Sequence, residues 1–136
     1  MRMNILLDTH IALWAVADSG RLSREVKELL ESAENKVFYS TVSVWEIAIK
    51  HRIRPEQMPV PEEEFAGLCQ KTGFDQLPIK NEHIFLLKTL ERASTAPKHN
   101  DPFDRLLLAQ AKYENLKLVT HDSLLPYYGE DCIMYV

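Results

Sequence analysis

Four carboxylates stand where short apolar runs begin or end: Asp8, Glu46, Asp104 and Asp122. Asp8 closes the run Ile5-Leu6-Leu7, and Asp122 comes shortly after Leu118-Val119-Thr120. An ionised carboxylate that is taken out of water is costly unless a positive group pairs with it. Because these acids flank buried segments, the sequence predicts one shared acidic site, and a divalent cation is the simplest partner for it.

The chemistry expected of such a site is hydrolysis assisted by a hard cation. Mg²⁺ and Mn²⁺ prefer carboxylate and water oxygens, and no cluster of Cys and His in the sequence competes for a softer metal. One or two bound ions can activate a water molecule and stabilise charge on a phosphodiester oxygen. This chemistry needs no covalent nucleophile, and no Ser-His-Asp or Cys-His spacing stands out.

Helix capping is the competing explanation for each acid taken singly. Ser43-x-x-Glu46 matches a capping box, and Asp8 and Asp122 could cap the helices that follow them. Acids in a first helical turn also gain from the helix dipole. Capping alone, however, does not predict an acid at so many junctions of the same edge, so both explanations remain open here.

A fifth acid, Asp101, lies one helical turn before Asp104. It directly precedes Pro102, and a capping residue followed by proline is typical of the start of a helix. Asp101 therefore either caps this helix or reaches the metal through water. We favour capping and keep Asp101 as a tentative metal ligand.

The elements that must position these acids alternate along the chain. Apolar runs and turn residues predict strands at 4–8, 37–40, 74–78, 116–120 and 132–136. They predict helices at 11–17, 23–33, 44–52, 62–71, 82–92 and 102–115. Strands that alternate with helices indicate an α/β fold of three layers, α/β/α, with a central, mainly parallel sheet of about five strands.

Local signals refine these elements. Ser23 is expected to cap the helix at 23–33, and Ser43 the helix at 44–52. Gly73 should end the helix at 62–71. In the helix at 82–92, the spacing of Ile84, Leu87 and Leu90 predicts one buried face.

The carboxyl ends of the strands are where ligands bind in folds of this class. Asp8 and Asp122 fall at predicted strand ends, whereas Glu46 and Asp104 fall in the first turns of predicted helices. If those helices begin at the same edge of the sheet, all four carboxylates meet there.

Composition limits the range of functions. The 136 residues, 46% hydrophobic and 26% charged, are expected to form a single soluble domain spanning 1–136. The formal net charge of −4 excludes a broadly basic surface, so any nucleic-acid contact must use a local patch, a metal or a second subunit. Two cysteines, Cys69 and Cys132, indicate reduced thiols, and no signal peptide or membrane-spanning run is evident, so we expect a cytoplasmic protein without membrane contact.

The sequence resembles the PIN-domain family, and most of all its VapC-type toxins. The resemblance rests on four motifs in order: Leu6-Leu7-Asp8-Thr9-His10, Ser43-Val44-Trp45-Glu46-Ile47, the segment 99–111 around Asp101-Pro102-Phe103-Asp104, and Leu118-Val119-Thr120-His121-Asp122. It implies a Mg²⁺- or Mn²⁺-dependent endoribonuclease that hydrolyses RNA with metal-activated water. It also implies a homodimer and a cognate antitoxin partner. By resemblance, Asp8, Glu46 and Asp104 match the core acids, and Asp122 the fourth.

Residues near the acids offer secondary candidates. RNA could be held by Lys50, His51, Arg52 and Arg54, or by Lys98, His99 and Arg105, although such clusters are more often solvated faces. His10 and His121 could contact phosphate, and Thr9, Ser43 and Thr120 could donate hydrogen bonds at the site. The aromatic candidates for base stacking are Trp14, Trp45, Tyr127 and Tyr128, with packing the expected role for the tryptophans.

Two other functions fit part of the pattern. A phosphoryl-transfer enzyme of the haloacid-dehalogenase type would need a second Asp at the position of His10, and the acid pair and late Lys of a receiver domain are not evident. A non-catalytic binding module of the same fold is the second alternative. A degenerate module is expected to lose an acid, and none of the four is missing.

Overall fold

Five short strands form the centre of the structure, a computed structural model that describes residues 2–136. They are β1 (Asn4–Leu7), β2 (Lys36–Ser40), β3 (Asp75–Leu77), β4 (Lys117–Thr120) and β5 (Ile133–Tyr135). The strand order is β3-β2-β1-β4-β5, and every neighbouring pair is parallel. All five carboxyl ends therefore meet at one edge of the sheet, with β1 in its middle.

Helices connect the strands. They are α1 (Thr9–Ala17), α2 (Arg24–Glu31), α3 (Thr41–Ile53), α4 (Glu62–Thr72), α5 (Asn81–Phe85) and α6 (Pro102–Glu114). Short 3₁₀ helices occupy Ser19–Arg21, Leu86–Thr89 and Leu125–Tyr128. Within residues 2–136, none of these helices combines the length and the apolar character needed to cross a membrane.

Alternate residues of the central strands face two separate apolar cores, as the period of a strand dictates. Ile5 and Val119 pack with α1, α2 and α4 on one side. Leu6 and Leu118 pack with α6 and the segment after α5 on the other side. Helix α3 reaches both cores, so the sheet is covered on both faces. The predicted three-layer α/β/α fold with five parallel strands is confirmed.

Several of the predicted local signals are confirmed by the structure. The Ser23 side chain accepts a hydrogen bond from the Val26 backbone N–H at 3.2 Å and so caps α2. Gly73 ends α4 in the left-handed conformation, with φ of 94°, which glycine adopts without a steric penalty. Cys69 and Cys132 are free thiols, as expected.

The predicted start of the helix at 44–52 is wrong. Helix α3 begins at Thr41, and its cap is Ser40, whose hydroxyl accepts from the Val42 backbone N–H at 2.9 Å. The same hydroxyl donates to the Gln110 side chain at 2.5 Å, a partner in α6 that no local pattern reveals. Ser43 consequently lies inside the helix, and Glu46 lies in its second turn and not in the first.

The predicted helix at 82–92 is also wrong in length and in its buried face. Only α5 is α-helical, and a 3₁₀ turn over Leu86–Thr89 follows it. Ile84, predicted to be buried, is 48% exposed, whereas His83 is fully buried. The polar His83 takes the inward position because its ring finds partners on both sides.

Those partners anchor α5 to α6. The Nδ1 atom of His83 accepts from the Lys80 backbone N–H at 3.0 Å, so Nε2 carries the proton and donates to a Glu114 oxygen at 2.8 Å. The Lys80 ammonium lies 3.4 Å from the same carboxylate oxygen. Burial by itself would raise the pKa of Glu114, but the hydrogen bonds from His83 and Lys80 outweigh it and lower that pKa.

Replacing Glu114 by Gln should destabilise the protein at neutral pH by about 1 kcal/mol, the upper end of the range for solvent-screened ion pairs. A lowered pKa contributes stability above the pKa of the unfolded chain, and that contribution is lost as pH falls through the folded value. Urea unfolding of wild type and Glu114→Gln should therefore differ at neutral pH and converge in acid. Glu82→Gln, which removes an exposed acid of α5, is the control, and a difference that persists unchanged in acid would contradict the assignment.

Candidate active site

All five acids singled out from the sequence line one cleft at the carboxyl edge of the sheet. The cleft has a volume of about 320 Å³, and its other lining residues are His10, Trp14 and His121. Asp8 directly follows β1, Asp122 follows β4, and Asp101 and Asp104 begin α6. We call this region the acidic cleft. Its position is the one expected for ligands of a parallel α/β fold.

Asp8 is held from two directions. One carboxylate oxygen accepts from the Ile11 backbone N–H at 3.0 Å, which caps α1, and the other accepts from the Thr120 hydroxyl. The Thr120 oxygen in turn accepts from the Asp122 backbone N–H at 3.0 Å. Burial raises the pKa of Asp8 despite these hydrogen bonds. Capping and membership of the acidic cleft are thus both true of this residue.

Asp104, Asp122 and His99 form the tightest group, with one potential ligand atom from each residue within 4.8 Å of the others. The Nε2 atom of His99 lies 3.5 Å from an Asp104 oxygen and 3.4 Å from an Asp122 oxygen. The other ring nitrogen is hydrogen-bonded to the Tyr128 hydroxyl at 2.8 Å. Nε2 is buried and has no hydrogen-bond partner within the part of the chain that the structure describes.

The pKa values of Asp104 and Asp122 are shifted in opposite directions. Burial raises the pKa of Asp104 to about 9, and the hydrogen bond to Asp122 together with the nearby acids adds to this. Burial would also raise the pKa of Asp122, but the hydrogen bonds from Asp104 and from the Leu124 backbone N–H, together with the electrostatic attraction of His99, lower it. Without a cation, the pair therefore keeps one proton, carried by Asp104.

Glu46 is buried and already has a positive partner. One of its oxygens is 2.5 Å from the Lys50 ammonium, one turn further along α3. The other accepts from the Thr9 hydroxyl at 2.6 Å. Because the only hydroxyl hydrogen of Thr9 is used there, Ser43 must be the donor in its 2.9 Å contact with Thr9. Ser43 thus supports Glu46 indirectly, in place of the capping role predicted for it.

The Glu46 carboxylate also acts on Lys50. Burial would lower the pKa of this lysine, but the hydrogen bond and charge of Glu46 raise it. Asp101 and Asp104 add to the same shift. Lys50, predicted as an RNA contact, is therefore first of all a fixed counter-charge to the acids.

Asp101 takes the role that the sequence favoured. One of its oxygens accepts from the backbone N–H groups of Phe103 and Asp104, at 2.9 and 3.2 Å, and so caps α6. The residue also lines the acidic cleft. Its capping role is observed, and its role as a metal ligand stays a prediction.

His99 is the residue that the sequence assigned to the wrong environment. The sequence places it in a possible RNA-binding cluster or a solvated face, but the residue is only 5% exposed and its ring lies against two of the acids. Its place before Asp101-Pro102-Phe103-Asp104 was the available signal. The hydroxyl of Tyr128, 29 positions away, holds the histidine beside the acids through a 2.8 Å hydrogen bond to Nδ1.

The aromatic candidates divide between burial and exposure. Tyr128 is buried and therefore unavailable for stacking with bases, whereas Tyr127 is 51% exposed. Trp45 packs edge-on against Phe103 with ring centroids 4.9 Å apart, and Trp14 packs against His10 and His121 at the wall of the cleft.

The donor set suits a divalent cation. Asp104 and Asp122 supply carboxylate oxygens, Asp8 adds a third carboxylate in the same cleft, and His99 contributes a buried nitrogen without a hydrogen-bond partner. Oxygen-rich sites of this kind favour hard cations. Lys50 offsets only part of the negative charge, so the cleft retains uncompensated carboxylate charge that a cation can neutralise.

Replacing Asp104 by Asn should stabilise the protein in the presence of a metal chelator above neutral pH. Because the pKa of Asp104 is raised to about 9, the folded protein holds a proton that the unfolded chain has released, so stability falls as pH rises from the ordinary value of 3.8. The Asn variant lacks this loss. Its gain in unfolding free energy should exceed about 1 kcal/mol, the equivalent of one pKa unit.

The measurement is chemical unfolding with chelator, compared in mild alkali and in acid. The gain should vanish in acid, where both chains carry the proton. Asp131→Asn, which removes an exposed acid outside the cleft, should change little. A variant that is no more stable than wild type in alkali would show that Asp104 is not the proton-holding acid.

Solved structures of other proteins resemble this fold. The structure resembles VapBC2 from Rickettsia felis bound to a promoter DNA fragment, with a TM-score of 0.68 and 17% identity over 98% of both chains. It resembles a toxin–antitoxin complex from Klebsiella pneumoniae, with a TM-score of 0.61 and 18% identity over 96% of this chain and 95% of that one. FitAcB from Neisseria gonorrhoeae gives a TM-score of 0.63 and 20% identity over 96% of both chains.

At these identities the likeness shows a shared fold. No curated protein sequence matches the chain. The family model described as the PIN domain matches residues 5–130, a segment that contains every acid of the acidic cleft. The family match and the acidic cleft at the carboxyl edge agree, and the chain belongs to the PIN domain family.

Proposed function

We propose that this protein is a metal-dependent endoribonuclease and the toxin of a toxin–antitoxin pair. The observation that carries the proposal is the group of Asp104, Asp122 and the buried His99 nitrogen, placed beside Asp8 and Glu46 in one cleft of a PIN domain. Buried acids with raised pKa values in a cleft are typical of functional sites, because a fold built for stability alone would avoid them.

The residues that would hold the cation are Asp8, Asp104 and Asp122. We propose Mg²⁺ or Mn²⁺, since the ligands are mostly carboxylate oxygens. Such an ion, when bound, activates water and stabilises negative charge on a phosphodiester oxygen. The protein's own contribution is to fix the carboxylates: Thr120 and the start of α1 orient Asp8, and His99 lies within reach of both other acids.

Glu46 has a different part in this proposal. Its charge is compensated by Lys50 at 2.5 Å, and Thr9 fixes its second oxygen. We therefore propose that Glu46 acts together with Lys50, with the carboxylate held at the wall of the cleft. Asp101 acts through α6, because its cap fixes the helix start on which Asp104 is carried.

The proposed partners are RNA, an antitoxin and a second copy of the chain. The structures from Klebsiella pneumoniae and Rickettsia felis are a toxin–antitoxin complex and a VapBC2 complex, which supports an antitoxin partner here. We further propose that residues 1–136 act as one PIN domain and pair as a homodimer.

A non-catalytic PIN module is the alternative. The contact that favours it is the short Lys50–Glu46 ion pair, which occupies one of the core acids. The two functions differ in their requirement for metal, since a binding module needs neither the ion nor an intact set of acids.

Asp8→Asn should abolish RNA cleavage while leaving the fold intact. Asparagine can still accept the N–H bond that caps α1, but it removes the charge that a cation needs. The assay is cleavage of labelled tRNA, rRNA and mRNA fragments with Mg²⁺ or Mn²⁺, and with chelator as the blank. Asp101→Asn is the matched control, because Asn also caps α6, and it should retain most activity.

Two results would contradict the proposed ribonuclease function. One is equal cleavage by wild type and Asp8→Asn, which would indicate a contaminating nuclease. The other is no cleavage of any RNA by wild type with either metal, which would favour the binding module. An equal loss of activity in Asp101→Asn would instead promote Asp101 to a metal ligand.

Mg²⁺ or Mn²⁺ should also stabilise the folded protein. A ligand that binds only the folded state adds about 2.7 kcal/mol at a concentration one hundred times its dissociation constant. Thermal unfolding should shift upward with added ion, and the shift should be lost in Asp122→Asn. Asp131→Asn should keep it. A shift of equal size in both variants would mean that the ion binds elsewhere.

A further inference from the structure

Two further clefts adjoin the acidic cleft, and both carry positive charge. The first, the Lys50 cleft, has a volume of about 330 Å³ and is lined by His10, Lys50, Ile53, Arg54, Gln57 and Met58. It shares His10 with the acidic cleft. Lys50 connects the two regions as well, since its ammonium contacts Glu46. No acidic side chain lines the Lys50 cleft within residues 2–136.

The second, the Lys98 cleft, has a volume of about 400 Å³, and its lining includes Arg92, Lys98, His99, Asn100 and Arg105. It meets the acidic region at His99, whose ring contacts Asp104 and Asp122. Its described lining contains three cations and no acid. The acidic cleft thus shares His10 with the Lys50 cleft, and the buried His99 ring, which contacts Asp104 and Asp122, lies between it and the Lys98 cleft.

The cations in these clefts differ in how far the fold uses them. Arg105 donates to the Leu87 carbonyl and Arg92 to the Pro97 carbonyl. The side chains of Arg54 and Lys98, by contrast, have no hydrogen bond or ion pair to any of the residues that the structure describes. Both are exposed, so their charges are available to a ligand.

Helix electrostatics explain only part of this arrangement. Basic residues in the last turn of α3 gain from the helix dipole, and this accounts for Lys50 and Arg52. It does not account for Lys98, which lies before α6 and outside any helix. Nor does it explain why the uncommitted cations lie in concave regions that meet the acidic cleft.

Binding of RNA would account for these exposed cations. A phosphodiester strand that enters an acidic cleft is repelled there, and a chain with net charge −4 has no general attraction to offset this. Cations at the neighbouring clefts would hold the adjacent phosphates. Each cleft is near the lower limit of ligand pockets in volume, which suits a nucleotide of a single strand and is too small for a double helix.

We propose that a single-stranded RNA segment lies across the acidic cleft, with one neighbouring phosphate in the Lys50 cleft beside Arg54 and another in the Lys98 cleft beside Lys98. This rests on the ribonuclease function proposed above and adds the path of the substrate. In the Lys50 cleft, Gln57 and the apolar side chain of Ile53 lie where a base attached to that phosphate can rest.

The first test measures binding of a fluorescent single-stranded RNA by anisotropy, in the cleavage-deficient Asp8→Asn protein with Mg²⁺. Arg54→Gln and Lys98→Gln should each weaken binding by roughly three- to tenfold at low salt, and each should reduce the slope of log K against log salt by about 0.7, the value for one phosphate of a single strand. The matched controls are Arg2→Gln and Lys71→Gln, which remove exposed charges that line none of the three clefts. They should change neither quantity.

The second test establishes the path. RNA shortened from one end should become insensitive to Arg54→Gln while it remains sensitive to Lys98→Gln, and shortening from the other end should reverse this. The proposed path is wrong if shortening one end of the RNA removes the effect of both substitutions. It is also wrong if a duplex binds as well as the single strand.

The outcomes separate this proposal from the one on which it rests. If wild type cuts no RNA and the Asp8→Asn protein binds none, the ribonuclease function fails and the path fails with it. If wild type cuts RNA but Arg54→Gln and Lys98→Gln behave like their controls, only the path is overturned. If the two variants lose binding to the antitoxin and not to RNA, the basic clefts belong to the protein partner, which also overturns it.

Discussion

The hydroxyl of Thr120 is the contact on which the geometry of the site depends. It donates to Asp8 and accepts from the Asp122 backbone, so it joins the end of β1, the end of β4 and the following loop. β1 and β4 are neighbours in the middle of the sheet, and both are buried on each face. Two acids that are 114 positions apart in the sequence are therefore fixed to the middle of the sheet, as the proposed metal site requires.

The charges of the acidic cleft are compensated unevenly. Glu46 has a lysine, whereas Asp104 and Asp122 have each other, one proton and the ring of His99. Burying like charges together costs stability, and a protein accepts such a cost where function needs the charge. Lys50 on α3 reduces the repulsion among the acids but leaves net negative charge in the cleft, which the proposed cation would neutralise.

Features that depend on the local sequence pattern are predicted correctly. Features that depend on a residue far away in the sequence are not. The strand and helix alternation, the three-layer fold and the caps of α2 and α6 follow from periodicity and capping residues. The start of α3 did not, because Ser40 is chosen over Ser43 by a hydrogen bond to Gln110. The burial of His99 is not predicted for the same reason, since it depends on the hydrogen bond to Tyr128. The five acids were found because the carboxyl edge of a parallel sheet is a place that topology alone defines.

Capping and metal binding are rival explanations of the acids, but at Asp8 the cap is compatible with the proposed metal site. A carboxylate has two oxygens with several lone pairs, and the cap at Asp8 uses one oxygen for the Ile11 N–H. That bond fixes the orientation of the side chain at the start of α1. A hard cation binds best to oxygens that need no reordering, because the entropy of ordering them has already been lost on folding. The cap at Asp8 therefore preorganises the proposed metal site and does not compete with it.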